Sequence, residues 1–436
     1  MRRPKDPKRS PDWRPRSRRR FLFEGAAAAG ALAAPLVVPA RILGLGGEAP
    51  PSETVAIGCI GTGGRAKLLI RQMPPGGRIV AVCDVYLRRC EEAKREFADR
   101  SADWLVYQDY RKLLERRDID AVLVPTTDHA RVLISIHACQ AGKDIYAEKP
   151  LSLYVAEGRA LVRFVRKHGR VFQTGSQQRS MEYNRYPCEL VRTGRIGKVK
   201  EVLACAYTGP GRCDGLPEQP VPEDLDWDGW CAQARLRPYN PSLQFGWMGC
   251  RDYSGGEMTN WGAHGLDQVQ WALGADESGP VEVWPVTEGP NGKVHMRYAN
   301  GVLLKLELSE GPLGGAIFVG ETGRMFVDRN RFEATPPEIA SDPPEPQKRE
   351  MWEGPGWQAK FHIGNWLDCV KTRAKPVADV EIGHRSITVC HLANIARWTG
   401  RRLRWDPAEE RFAGDEEANA YLERPRRKGY EIPPLG

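Results

Sequence analysis

One stretch limits the fold of this chain more than any other. VAIGCIGTGGRAKLLI, residues 55–70, runs from an apolar, strand-like segment through a glycine cluster into a helix-like one. Gly61, Thr62, Gly63, Gly64, Arg65 and Ala66 fit G-x-G-x-x-A, in which glycines let backbone amides and a helix N-terminus approach a pyrophosphate. The next apolar run, RIVAVCD, ends in Asp84, 23 residues after Gly61. A carboxylate there accepts a ribose 2′-hydroxyl and repels a 2′-phosphate, so NAD is favoured over NADP, a preference that Arg88 and Arg89 temper.

Beyond that turn, short apolar runs (DIDAVLVPT, KDIYAEKP, RVFQTG) alternate with helix-like segments such as VLISIHACQAGK. Strands alternating with helices imply parallel pairing through right-handed crossovers, so an α/β Rossmann domain is expected over residues 54–176. After LVRTGRIGK the texture becomes strands joined by turns. Residues 177–436 are therefore expected to form an α+β domain with an open, mostly antiparallel sheet and helices near 257–273 and 358–373. Asn300-Gly301, between two alternating runs, predicts a type I′ hairpin. Residues 208–254 and 335–357 read as long irregular loops, and such loops in a compact domain are usually functional or mobile. Two domains suit a chain of 436 residues.

The net charge of +8 does not describe the body of the chain. Residues 1–40 hold ten Lys/Arg against Asp6, Asp12 and Glu24, which leaves 54 basic and 53 acidic side chains elsewhere. A nearly neutral body carries no electrostatic footprint for nucleic acid. The leader itself has paired arginines in SRRRFL, then GAAAAGALAAPLVVPA ending at Ala40. That layout reads as a twin-arginine signal peptide over residues 1–40, followed by a linker over 41–53. The apolar run is too short to be a membrane span, so an exported or periplasmic mature chain is expected, with the export machinery as a partner. The eleven cysteines include no C-x-x-C pair. In an oxidising compartment disulfides are allowed among Cys205, Cys213, Cys231 and Cys250, with the pairing open. His384 and His391 suggest structural hydrogen bonds, and no metal site is indicated.

Glu148-Lys149-Pro150 at the end of a Rossmann strand resembles the signature of the Gfo/Idh/MocA oxidoreductases. PTTDHAR, QTGSQQRS, YSGGEMTNWGAHGLDQVQWALG and FHIGNWLDCVKTRAKPVADVEIGHRSITVCHLANIA extend that resemblance from about residue 54 to the end. It implies a nicotinamide bound between the domains, and a sheet often used for homo-oligomerisation. By position it implies that Gly61, Gly63 and Asp84 hold the dinucleotide, that Thr126, Thr127 and His129 line its path, and that Glu148 and Lys149 sit by the nicotinamide. Lys149 would contact the reacting hydroxyl and His264 would move its proton. Those residue types suit the chemistry, because oxidising a secondary alcohol demands a proton acceptor near neutral pH and a cation beside the developing alkoxide. Gln177, Arg179 and Arg251 are candidates for binding substrate hydroxyls. Trp227, Trp230 and Trp247 would stack on a sugar ring or fill a core.

Asn260 stands where family dehydrogenases commonly carry an aspartate, four residues before the histidine. An amide neither takes a proton nor stabilises an imidazolium by charge. The relay is then His264 alone or His264 with another acid, for which Glu257 is the candidate. The expected activity is that of an exported NAD-dependent oxidoreductase acting on a secondary alcohol of a sugar, cyclitol or derivative, with a tightly retained cofactor. The alternatives are a redox-assisted, NAD-dependent glycosidase and a sugar-binding protein with structural NAD.

Overall fold

The computed structural model describes residues 54–341 and 348–435. The expected leader and linker lie outside the described residues. The first sheet contains β1 Val55–Ile60, β2 Gly77–Cys83, β3 Leu105–Tyr107, β4 Ala121–Val124, β5 Asp144–Ala147 and β6 Phe172–Thr174. All its pairs are parallel, in the order β3-β2-β1-β4-β5-β6. Its central strands are buried on both faces, which is why they read as continuous apolar runs without alternation. Chain order reverses between β1 and β4, so a crevice opens at the carboxyl ends of those two strands, where open α/β sheets bind ligands. Helix α1, Gly64–Arg71, follows β1 into that crevice, and α2, Asp128–Gln140, follows β4.

The second sheet has nine strands: β7 Glu201–Cys205, β8 Pro280–Pro285, β9 Val294–Tyr298, β10 Leu303–Leu308, β11 Ala316–Val319, β12 Arg324–Val327, β13 Phe332–Thr335, β14 Leu403–Asp406 and β15 Arg411–Phe412. It is antiparallel apart from β7 against β10. Burial alternates along β9 and β10, as expected of a sheet covered on one face. Helices α3, Gly262–Ala272, and α4, Val380–Thr399, pack beside it, and α4 also packs on the Rossmann helix Val155–Lys167. Arg159 on that helix fixes the approach by pairing with Glu381 at 2.7 Å and Glu410 at 2.8 Å. Among the described residues no helix is long and apolar enough to cross a membrane.

The hairpin at Asn300-Gly301 differs from the expected type I′ turn. Only Gly301 has positive φ, at +91°. Gly301 N donates to Tyr298 O at 2.9 Å and Tyr298 N donates to Val302 O at 3.0 Å, a three-residue loop with its glycine in the left-handed region. Asn300 instead braces the loop from its exposed position, where Oδ1 accepts from Val302 N at 3.1 Å. One disulfide forms among the four candidate cysteines, Cys213–Cys250, across 37 residues of the long 208–254 segment. Cys205 and Cys231 remain buried thiols. His384 and His391, both on α4, bond Glu410 Oε1 at 2.6 Å and Ser152 O at 3.1 Å.

Candidate active site

Two cavities meet at the carboxyl ends of β1, β4 and β5. The first, about 350 Å³, is lined by Gly61, Gly63, Gly64, Arg65 and Asp84, with Thr126 and Thr127 from the end of β4. Gly61 has φ +92°, and a Cβ there would stand 3.1 Å from Thr126 Cγ2. Gly64 has open space where a side chain would project, and α1 begins at Gly63 without a side-chain cap. The first amides of α1 are thus left for an anion, as a pyrophosphate requires. Asp84 lines the same cavity from the end of β2, and its Oδ1, which accepts from Tyr86 N at 3.0 Å, retains room for a ribose hydroxyl. These residues fit NAD.

Of the other expected cofactor residues, Glu148 and Lys149 line the second cavity described below, while Thr62 and His129 line neither. Thr62 is fully buried beneath the glycine turn, where its backbone N at 2.8 Å and hydroxyl at 3.1 Å both donate to Asp84 Oδ2. It positions the carboxylate and does not line the cavity. His129 faces away from the cavity into a small aromatic core, with Nε2 at 2.7 Å from Trp230 O and its ring 4.9 Å from that of Tyr253. Burial pushes its pKa down to about 3, so it is a neutral structural histidine. Trp227 and Trp230 belong to this core, stacked with centroids 4.6 Å apart, although Trp230 also reaches the first cavity.

The second cavity, about 400 Å³, shares Arg65, Pro125, Thr126 and Trp247 with the first and adds Lys149, Asn260, His264, Gln177 and Arg329. Lys149 immediately follows β5 and Glu148. Its ammonium donates to Asn260 Oδ1 at 2.6 Å and to the Asn260 carbonyl at 3.2 Å. Burial brings its pKa down to about 8, against the opposing pull of Glu148 and Asp128. Glu148 meets Arg65 Nε at 2.7 Å. His264, in the first turn of α3, lines the cavity with no hydrogen-bond partner for its ring among the described residues. Burial holds its pKa well below the ordinary 6.5, reinforced by the positive charges of Lys149, Arg329 and Arg65. The imidazole is therefore neutral at pH 7 and free to accept a proton.

Asn260 ends the short helix Glu257–Asn260, and its Nδ2 donates to Glu257 Oε2 at 3.0 Å. The amide thus relays Glu257 to Lys149. Glu257 stands behind Asn260 and does not line the cavity, so it supports the lysine and not the histidine.

Gln177 reaches the site between Arg65 and Arg329: with its amide turned to satisfy both ends, its oxygen accepts from Arg329 Nη2 at 2.7 Å. The other two proposed substrate residues do not reach the site. Arg179 is buried in ion pairs with Asp267 at 2.8 Å and Asp276 at 2.7 Å, which join α3 to the turn after β6. Arg251 lies 3.6 Å above the Trp398 ring and 4.9 Å from that of Tyr421, in a separate crevice. Both arginines are held by partners distant in sequence, which spacing alone does not reveal.

Sequence reasoning missed Arg131 and Arg329. Arg131, on α2, donates to the carbonyls of Thr126 and Pro150, tying the end of β4 to the segment that carries Lys149. Arg329 follows β12, nearly two hundred residues from Lys149. The cystine bridges the segment that supplies Trp247 and Met248 to the rim, so these side chains are anchored three residues or fewer from Cys250.

Comparison with known proteins agrees with this architecture. Residues 54–176 match the family model described as "Oxidoreductase family, NAD-binding Rossmann fold", and residues 206–432 match "Oxidoreductase family, C-terminal alpha/beta domain". Inositol 2-dehydrogenase of Salmonella typhimurium is 28% identical over 172 residues, 39% of this chain and 48% of that protein. The 2,7-anhydro-N-acetylneuraminate hydratase of Mediterraneibacter gnavus is 29% identical over 224 residues, 51% of this chain and 50% of that protein. The chain thus spans about half the length of the curated relatives it matches. The crystal structure of aldose-aldose oxidoreductase from Caulobacter crescentus shares the fold with TM-score 0.57 at 17% identity, covering 80% of this chain and 99% of that one. The glycine turn, the cavity at the strand ends and the two matched models agree: this chain belongs to the Gfo/Idh/MocA oxidoreductase family.

Proposed function

We propose that this protein is an NAD-dependent oxidoreductase acting on a secondary alcohol of a sugar, cyclitol or derivative. One observation carries the reading: a lysine ammonium and a neutral histidine line one cavity that opens onto the dinucleotide cavity. Gly61, Gly63, Gly64 and Asp84 would hold NAD, which supplies the hydride acceptor. His264 takes the proton of the reacting hydroxyl, and Lys149 stabilises the charge that develops on its oxygen. Asn260 keeps the ammonium aimed by accepting its hydrogen bond at 2.6 Å.

A second reading, redox-balanced chemistry on one substrate or between two, is favoured by a relative named as a hydratase and by a fold neighbour named for aldose-aldose oxidoreduction. It includes the redox-assisted glycosidase. It also suits the export that the paired arginines of the leader suggest, because a cofactor loaded before export has no assured pool to exchange with. Retention is supported by Trp230, Trp247 and Tyr430, which bring side chains of the C-terminal domain to the dinucleotide cavity. We also infer self-association through the outer face of the nine-stranded sheet, where Leu203, Leu303 and Trp284 are only partly covered.

The test incubates the NAD-loaded protein with a panel of sugars and cyclitols in deuterated water. NADH accumulation marks net oxidation; solvent deuterium on the carbon beside the oxidised one, without NADH, marks oxidation and re-reduction of one substrate; equal amounts of an oxidised and a reduced sugar, without NADH, mark exchange between two. None of the three signals across the panel leaves a binding protein and overturns the proposal. Native mass spectrometry of the exported protein reads cofactor retention and subunit number together.

A further inference from the structure

Six acidic or basic side chains line the cavity around His264: Arg65, Arg131, Lys149 and Arg329 against Asp128 and Glu148. Both carboxylates are already engaged. Asp128 pairs with Arg131 at 3.4 Å, and Glu148 with Arg65 at 2.7 Å. The ammonium of Lys149 donates only to neutral acceptors of Asn260, its side-chain oxygen at 2.6 Å and its carbonyl at 3.2 Å.

Arg329 is the less expected of the two remaining cations. Its Nε donates to Gly356 O at 3.1 Å, Nη2 to the Gln177 oxygen at 2.7 Å, and its guanidinium lies 5.0 Å from the Trp261 ring. Every one of these partners is uncharged, and Nη1 has no protein partner among the described residues. Burial and the neighbouring Arg65 bring its pKa down to about 10, against the weaker pull of Glu148, which is itself paired with Arg65. Arg329 lines the reaction cavity but not the glycine-turn cavity, so its charge is not placed for the pyrophosphate.

A partly desolvated cation without a counter-ion is costly unless a ligand supplies one. The planar guanidinium fork matches a carboxylate, and neutral partners already hold it in orientation.

We propose that the cavity takes a substrate bearing a carboxylate, a sugar acid, with Arg329 as the receptor of that carboxylate and Lys149 beside the reacting hydroxyl. The proposal rests on the oxidoreductase reading for the reaction but not for the binding. A bound carboxylate also offsets the positive charges that oppose protonation of His264, so the substrate itself makes the imidazole a stronger base.

The test uses the NAD-loaded protein and matched pairs, D-glucuronate with D-glucose and D-galacturonate with D-galactose, plus myo-inositol. Binding is measured by calorimetry, separately from turnover. The expected result is at least tenfold tighter binding of an acid than of its neutral partner, weakening with added salt. Arg329→Gln removes that preference, while Arg329→Lys keeps part of it; NAD affinity and thermal melting confirm that both variants are folded. Equal affinity within pairs, failure of every acid to bind, or an undiminished preference in Arg329→Gln overturns the proposal. Selective acid binding with neither hydride transfer nor deuterium exchange instead defeats the oxidoreductase reading and leaves the carboxylate site standing.

Discussion

The two cavities are neighbours of similar size, about 350 and about 400 Å³, yet they are built on different principles. The dinucleotide cavity is organised by backbone: a glycine turn, an uncapped helix start and the ends of adjacent parallel strands set its floor. The reaction cavity is mostly side chain, drawn from β5, α1, α3, the turn after β6, the cystine-bridged segment and the loop after β12. The first gets its chemistry from where the chain turns. The second gets it from which charges tertiary packing leaves uncompensated. Damage to one should therefore leave the other largely intact.

The largest expected separation comes from Lys149→Met. Removing a preorganised charge at a developing oxyanion costs about 10²- to 10³-fold in kcat. Dinucleotide affinity, read by NADH fluorescence titration, should hardly change, because Lys149 does not line that cavity. A comparable fall in both quantities would show that the two cavities are not independent. Stability should move the other way. An unfolded lysine holds its proton up to its ordinary 10.5, whereas folded Lys149 gives it up near 8, so carrying the charge at pH 7 destabilises the fold. Lys149→Met should then melt higher than the parent at pH 7.

The converse variant is Gly61→Ala. At φ +92°, with Thr126 Cγ2 3.1 Å from the new Cβ, the turn must shift or strain. A cost of about 1–3 kcal/mol for a non-glycine residue in such a conformation corresponds to roughly ten- to a hundredfold weaker NAD binding. Sugar binding in the second cavity should persist. Unchanged NAD affinity would remove the glycine turn from the cofactor site.

The same contrast explains what could be read in advance. G-x-G-x-x-A, Asp84 and the apolar runs are local, so the parallel sheet and its dinucleotide cavity follow from spacing. Strand β3, Leu105–Tyr107, escaped because one exposed and two partly covered residues carry no pattern. Lys149 and His264 were found through family resemblance and not from their flanks. Arg179 and Arg251 look from sequence like Arg329, a polar residue in an irregular stretch. Only packing shows that Asp267 and Asp276 occupy the first and that Trp398 and Tyr421 cover the second, while Arg329 bonds only uncharged groups among the described residues. His129 shows the same limit from the other side: it is in the motif, but the aromatic core formed by Trp230 and Tyr253 claims its ring.

The smallest expected effect is the most diagnostic of Asn260. The reactive form requires neutral His264 and cationic Lys149. Since His264 titrates well below 6.5 and Lys149 at about 8, kcat/KM should be level through pH 7 and fall about tenfold per unit above pH 8. Asn260→Asp puts a carboxylate where the amide oxygen now lies 2.6 Å from the ammonium. An opposite charge at that distance favours the protonated lysine by about one pKa unit or more, so the alkaline limb should move upward. At pH 9 the variant would then be about five- to tenfold less impaired, relative to its own plateau, than the parent. The same carboxylate cancels part of the positive surplus facing the substrate, so its gain at high pH should come with weaker binding of sugar acids and little change for neutral sugars. If the limb stays fixed, the group titrating near pH 8 is not Lys149, and Asn260 serves only to hold its partner in place.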